Sequence, residues 1–185
     1  RADDGSSTSY WNLQTHLFTT GPPAFATGFI GETGLISGLT DQSQTILLQQ
    51  SYVQPVVFAQ SPSYNGSQQV TVRVTDVMSD RFSIYLQEPG NLDGTHGQET
   101  VSYLVVEAGT WRLSGGQRLE VGTVDTSATV GHQVSESQFE NITFDALFSA
   151  TPVMLSQVQT ANDTAFVKTR QYSASTTVVH LAFGG

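Results

Sequence analysis

The densest group of chemically capable side chains lies in the segment 92–99, which carries Asp93, His96 and Glu99. The three side chains could converge on a ligand or a metal ion, and Asp93 and Glu99 with backbone carbonyls could hold calcium. The alternative is an ordinary turn, because Asp-Gly favours turns and His96 could cap or stack there. The spacing therefore leaves two alternatives open: a ligand site that could bind calcium, or a loop that binds no ligand.

Sequence motifs of common enzymes are missing from the chain. Zinc catalysis would need a pattern such as His-Glu-x-x-His, and serine hydrolases often carry Gly-x-Ser-x-Gly; neither pattern occurs. His180 lies inside an alternating segment, which is typical of a strand residue rather than a catalytic base. The histidines are scattered: His16, His96, His132 and His180. A pair of carboxylates for glycosidic cleavage would leave no sequence motif, and its candidate residues are Glu88, Glu99 and Glu107. We expect a protein that is not an enzyme.

Two arginines occupy the middle of alternating segments. Arg73 lies among Val and Thr in 70–75, and Arg170 lies in 167–170. A guanidinium group can donate two hydrogen bonds to sugar hydroxyls or to a carboxylate. The alternative is an ion pair or a polar contact between strands on the exposed face of a sheet.

These side chains must be positioned by strands. Apolar and polar residues alternate in 70–75, 82–86, 102–106 and 177–181, the period of a half-buried strand. The apolar runs that follow Pro55 and Pro152 indicate strands buried on both faces, or strands that begin after proline. Turn clusters rich in Gly, Asn and Pro separate the segments at the spacing of a β-sandwich or barrel. The predicted fold class is all-β.

Composition excludes several classes of protein. Acidic residues outnumber basic ones 16 to 7, for a net charge of -9, which argues against nucleic-acid binding and against a basic membrane-binding surface. The chain has no cysteine, so disulfides and cysteine-zinc sites are excluded. No apolar run is long enough for a transmembrane helix. A surface rich in Ser, Thr, Gln and Gly, with one lysine, favours an extracellular protein.

The chain contains an internal repeat. The segment 55–60 (PVVFAQ) aligns with 152–157 (PVMLSQ), and the same offset carries Arg73 onto Arg170 and 82–86 onto 179–183. We therefore predict two tandem antiparallel β-sandwich units, at 31–112 and 113–185, after an N-terminal extension at 1–30.

The second copy is shorter than the first. After Leu86 the first copy continues through Asp93 and His96 to the strand pattern of 100–106, whereas the second stops at Phe183. The residues before Ala26 have no partner in the repeat. We expect this leading segment to supply the missing strand of the second unit, from its own chain or from a neighbouring one by strand exchange.

At the Pro-Val and Arg positions the sequence resembles the H-type lectin family. The second unit carries 141–144 (NITF), Pro152-Val153 and 167–170 (VKTR), and the first carries 55–57 (PVV), 70–74 (VTVRV) and Phe82, in the family's order. The resemblance implies antiparallel six-stranded sandwiches that commonly form trimers and bind galactose or N-acetylgalactosamine.

The resemblance also implies a sugar site built from an Asp on an early loop, an Arg on a central strand and a His near the last hairpin. In the first unit these positions fall on Asp41, Arg73 and His96. In the second unit Arg170 matches, while the loop position falls near His132 and the last hairpin is absent. No Trp flanks His96, where a stacking ring would be expected.

Three N-glycosylation sequons are present, at Asn65, Asn141 and Asn162. The resulting hypothesis is an extracellular, non-catalytic carbohydrate-binding module or adhesin that binds glycans or cell-surface polysaccharide. The alternative is a structural subunit of a surface filament assembled by strand exchange. Both hypotheses predict a homo-oligomer or polymer without a required cofactor.

Overall fold

The structure, a computed structural model, describes residues 7–14, 29–60, 62–131, 134–145, 148–162 and 164–184, with the backbone alone for 7–14. Strands form the regular structure of these residues, together with one turn of 3-10 helix at Glu136–Gln138. The strands are β1 Ser7–Gln14, β2 Gly31–Leu39, β3 Gln44–Leu47, β4 Pro55–Gln60, β5 Thr71–Met78, β6 Arg81–Gln87, β7 Glu99–Glu107, β8 Gly109–Arg112, β9 Arg118–Asp125, β10 Glu140–Thr143, β11 Val153–Val158, β12 Lys168–Ala174 and β13 Val178–Gly184. The predicted all-β class is confirmed.

The strands form four small antiparallel sheets. Their orders are β2-β7-β4, β3-β6-β5, β11-β1-β9-β8 and β10-β13-β12. The repeat offset carries β3, β4, β5 and β6 closely onto β10, β11, β12 and β13. In the sheet orders, β7 lies between β2 and β4, and β1 lies between β9 and β11. The leading segment therefore occupies, in its own chain, the place that β7 has in the first half.

Alternation explains which faces are buried. On β6, Phe82, Ile84 and Leu86 are buried while their neighbours are partly or fully exposed. These residues share one hydrophobic core with Val57 and Val105, among others, so the sheets β3-β6-β5 and β2-β7-β4 pack against each other. Burial of several large aliphatic side chains, worth about 1.5–3 kcal/mol each, stabilises this pair of sheets.

Strand β4 is buried on both faces. Val57 faces the core just described, while Val56 and Phe58 pack with Leu119 and Val121 of β9. The apolar run after Pro55 is therefore a strand buried on both faces, which is one of the two alternatives that the sequence left open. The run after Pro152 fits the other alternative, because β11 begins at Val153, which is 64 % exposed.

The β8–β9 hairpin ties the two halves of the sequence together. β8, the last segment of the predicted first unit, pairs with β9, with Trp111 opposite Leu119. Trp111 packs against the Val56 and Phe58 cluster, and its indole Nε1 donates a hydrogen bond to the carbonyl of Glu107. The segment that connects the two halves is therefore packed against the rest of the protein.

Candidate functional site

A histidine lies buried between two carboxylates in the first half. His96 Nδ1 is 3.0 Å from Glu88 Oε1, and His96 Nε2 is 3.3 Å from Glu99 Oε1. The three side chains expose at most 1 % of their surface. Ionised carboxylates only accept hydrogen bonds, so both contacts are satisfied when both ring nitrogens carry protons. The three residues form a buried network of polar contacts between the end of β6 and the start of β7.

Glu99 also binds the loop that follows β4. Its carboxylate accepts hydrogen bonds from the hydroxyl of Ser63 and from the backbone N–H groups of Asn65 and Gly66. Burial raises the pKa of Glu99, but these hydrogen bonds and the one from His96 outweigh it and lower the pKa from 4.5 to about 2. Glu99 is therefore a fixed anion that organises two loops.

No hydrogen bond or ion pair in the described residues joins Asp93 to His96 or to Glu99, with which it was predicted to hold an ion. Asp93 is exposed, and its carboxylate accepts a hydrogen bond from the backbone N–H of Thr95, the geometry of an Asp turn. His96 and Glu99 are buried and bonded to each other instead. In the part of the chain that the structure describes, no group of three His, Asp or Glu side chains is arranged to hold a metal ion.

Glu107 accepts hydrogen bonds from the N–H groups of Val53 and Gln54.

Arg73 is buried rather than exposed. Its side chain is 1 % accessible, and Nη2 donates a hydrogen bond of 2.8 Å to the carbonyl of Thr160 in the second half. Its Nε and Nη1 atoms have no hydrogen-bond partner. The alternative that placed Arg73 on the exposed face of the sheet is wrong, because the segment after β11 covers it. Its repeat counterpart Arg170 is exposed on β12.

The residues carried over from the lectin resemblance are not joined to one another. Asp41 is half-buried and accepts a hydrogen bond from the neighbouring Gln42 side chain. No hydrogen bond or ion pair links Asp41, Arg73 and His96 among the described residues. His132 lies outside the described residues. In the first half, the residues that match the lectin sugar site therefore make contacts within the protein.

A groove lies where four edge strands meet. It has a volume of about 300 Å³, at the small end of ligand pockets, and it opens to solvent. Residues 59–60 of β4 and 70–72 at the start of β5 line one side, and residues 156–158 of β11 and 167–169 at the start of β12 line the other. The repeat offset carries the first set of stretches onto the second, so equivalent residues of the two copies face each other across the groove.

Neutral hydrogen-bonding groups dominate the polar lining. Gln60 Nε2 donates to the carbonyl of Ser156 at 3.0 Å, and Gln157 Nε2 donates to the carbonyl of Val72 at 3.2 Å. The Ser156 hydroxyl bonds the Thr169 hydroxyl at 2.7 Å. Lys168, the one lysine of the chain, also lines the groove. The described lining contains no carboxylate and no histidine.

Sequence reasoning did not find this groove, although one signal pointed to it. Gln60 and Gln157 end the two aligned Pro-Val segments, so the repeat itself marked them as equivalent. The repeat does not predict that the two copies pack edge to edge. That packing brings the Gln60 amide to the carbonyl of Ser156, the residue before Gln157.

The three sequon asparagines differ in their surroundings. Asn65 is exposed, yet its side-chain Nδ2 donates to the Ser63 hydroxyl and to the carbonyl of Gln98. Asn141 is exposed on the edge strand β10, opposite His180. Asn162 is exposed in the segment between β11 and β12. A glycan on Asn65 would replace one of its amide hydrogens.

Comparison with known proteins finds a similarity to part of a much longer protein. No family model matches the chain, and no solved structure matches it. The chain is 33 % identical, over 141 residues and 72 % of its length, to halomucin of Haloquadratum walsbyi (strain DSM 16790 / HBSQ001). It spans about 1 % of the length of halomucin. The similarity therefore concerns one small part of a far longer protein. Among the described residues, no helix is long and apolar enough to cross a membrane.

Proposed function

We propose that this chain is an extracellular carbohydrate-binding module that holds a glycan, without transforming it, in the groove between its two halves. The groove is the observation that carries the proposal. Its side-chain amides and hydroxyls match the paired donor and acceptor character of sugar hydroxyls. Its lining has no acid-base pair for glycosidic cleavage, which supports binding without catalysis at this place.

The architecture supports the same proposal. The matched strand orders fit two tandem β-sandwich units of H-type lectin kind, the second completed by β1 in place of a strand equivalent to β7. Because Arg73 and His96 are buried in structural contacts, the sugar in this proposal lies in the groove between units. A glycan there contacts both copies at once.

An extracellular surface location is supported by the similarity to halomucin, a protein with the name of a mucin, and by composition. The chain corresponds to a small stretch of that protein, which fits one module within a long surface polypeptide. The net charge of -9 and the polar, lysine-poor surface fit a chain that stays soluble outside the cell.

The test is a glycan array probed with the purified chain, with and without a chelator, followed by titration of a retained glycan. Gln60→Ala removes a groove donor and should weaken binding at least tenfold. Gln87→Ala is the matched control, because Gln87 Nε2 also donates across the halves, to the carbonyl of Thr164, but lies outside the groove lining. An array without retained glycans, or a Gln60→Ala variant that binds normally, would refute the groove as the site.

A structural role in a surface filament is the second candidate, favoured by the position of β1. This strand is central in its sheet, with Trp11 opposite both Leu155 and Val121. The same position filled by β1 of a neighbouring chain would link copies by strand exchange. Size-exclusion chromatography and negative-stain imaging distinguish the candidates. Polymers that dissociate when residues before Pro22 are deleted support the filament, and a discrete monomer or trimer opposes it.

A further inference from the structure

Two contacts join a serine and a histidine of the sheet β10-β13-β12 to a glutamate of the turn before β10, outside the groove lining. The Ser173 Oγ atom is 2.7 Å from His180 Nδ1, and His180 Nε2 is 3.1 Å from Glu136 Oε1. Ser173 belongs to β12, His180 to β13 and Glu136 to the 3-10 turn before β10. No motif in the sequence joins them, because they come from three different elements that meet only in the folded chain.

A β-bulge aims the serine. The β12–β13 register passes from Gln171 opposite Leu181 to Ala174 opposite Val179, which leaves Tyr172 and Ser173 without register partners. Bulges redirect side chains and are frequent beside active sites. The first half has a comparable irregularity between Thr75 and Met78. The bulge therefore belongs to the fold, and the chemistry placed on it is specific to the second half.

The residues that replace this set in the first half cannot do the same chemistry. At the repeat offset, Ser173 corresponds to Asp76 and His180 to Ser83. Asp76 accepts a hydrogen bond from the hydroxyl of Thr75 and has a positive φ of 49°. A role in holding the bulge thus does not require a serine next to a histidine.

The proton arrangement suits a nucleophile with a general base. Glu136, as an acceptor, takes the hydrogen on His180 Nε2, and this leaves the lone pair on Nδ1 for the Ser173 hydroxyl. The two ring nitrogens have exchanged the roles they take in most serine hydrolases, where Nε2 faces the serine. Imidazole can act through either nitrogen, and the requirement is a short contact to the nucleophile and an orienting acid.

The serine is open to a substrate while its base is sheltered. Ser173 is exposed, whereas His180 is only 8 % accessible. Tyr172 precedes Ser173 in the chain, and its half-exposed ring lies 5.3 Å from the ring of Phe139. On its outer side, β12 forms no β-ladder with another strand in the described part of the chain.

We infer that Ser173, His180 and Glu136 form a nucleophilic site that hydrolyses short-chain acyl esters. Ser173 Oγ attacks the ester carbonyl carbon while its proton passes to His180 Nδ1. The tetrahedral intermediate expels the alcohol, which leaves with that proton, and an acyl-serine remains. Water then attacks the acyl-serine, gives its proton through His180 to Ser173 Oγ, and releases the carboxylic acid. No oxidant, reductant or metal enters the balance.

The test combines covalent labelling and turnover in the full chain. A fluorophosphonate probe should label the wild-type protein at Ser173, identified by peptide mass spectrometry, and p-nitrophenyl acetate should be hydrolysed with an initial burst. Ser173→Ala should abolish the label and lower the hydrolysis rate at least a hundredfold. Ser37→Ala, which alters an exposed serine on β2, is the matched control and should retain both.

Further variants separate chemistry from structure. His180→Gln should lose labelling while keeping the wild-type melting temperature, and Glu136→Gln, which keeps the shape of the side chain, should slow labelling about tenfold. If His180→Gln does not fold, the comparison of Ser173→Ala with Ser37→Ala still decides. A wild-type chain that takes no label, or hydrolysis that survives in Ser173→Ala, would overturn the inference. Neither result bears on glycan binding in the groove.

Discussion

Arg73 Nη2 and the carbonyl oxygen of Thr160 are joined by a hydrogen bond of 2.8 Å that crosses from the first half of the chain to the second. The remaining nitrogens of the guanidinium group are buried without partners. Burial of a charge with so few hydrogen bonds is costly, so the bond holds the halves together at some expense of free energy.

Replacement of Arg73 by an uncharged side chain of similar volume should therefore be tolerated. Arg73→Met should change the free energy of unfolding by less than about 1.5 kcal/mol, because it fills most of the space and no longer buries a charge. Arg73→Ala should lower the same free energy by about 2–4 kcal/mol, because it leaves a cavity. Urea denaturation measures both. Equal losses in the two variants would show that the guanidinium group itself stabilises the contact.

Acid should destabilise the protein through Glu99. Its pKa in the folded state is about 2, below its ordinary 4.5, so its ionised form stabilises the fold fully above pH 4.5. That contribution is lost progressively as the pH falls from 4.5 towards 2. Glu99→Gln should unfold more easily at neutral pH and show a weaker decline over this range, as followed by circular dichroism.

Asp93→Asn is the control for the acid experiment. Asp93 is exposed and bonds a single backbone N–H, so its replacement should leave the acid profile close to that of wild type. If Glu99→Gln and Asp93→Asn were to follow the same curve as the wild type, the buried network would not be the source of the acid sensitivity.

Gly66 should resist substitution because of its contact with His96. A Cβ atom at position 66 would lie 2.8 Å from His96 Nε2 and 2.9 Å from Cε1. The imidazole cannot move away without losing Glu88 or Glu99. Gly66→Ala should therefore lower the free energy of unfolding by about 1–3 kcal/mol. Gly90→Ala, with nothing within 4 Å of its added Cβ, should melt within a degree or two of wild type. Equal melting temperatures for both variants would contradict the packing argument.

Salt should stabilise the fold. With a net charge of -9, the compact chain carries an excess of like charges whose repulsion is screened by salt, with a Debye length of about 10 Å at 0.1 M and about 3 Å at 1 M. The melting temperature should rise by several degrees between these concentrations of sodium chloride. In a variant with Asp125→Lys and Asp145→Lys, both at exposed positions, the rise should be smaller. A melting temperature that falls with salt would rule out repulsion as the dominant effect.

The sequence was most informative where periodicity and repetition apply. Alternation at 82–86 predicted the buried face of β6, and the matched Pro-Val segments predicted that β4 and β11 correspond. Local patterns carry no information about which distant segment covers a strand, so the burial of Arg73 beneath Thr160 was not predictable. The pairing of His96 with two glutamates, and of His180 with Ser173, depends on loop paths and on a bulge that periodicity does not specify.

The place of β1 sets an order of events for folding. Thr8 lies opposite Val158 on one side and Val124 on the other, so 150 positions of the sequence separate β1 from one of its neighbours. Contacts so distant in sequence are slow to form, because the entropy of closing the intervening loop must be lost first. During synthesis, β1 emerges before both of its partners, and it can pair with β11 only after residues 153–158 have followed. During translation, the first half can therefore reach its native structure well before the second.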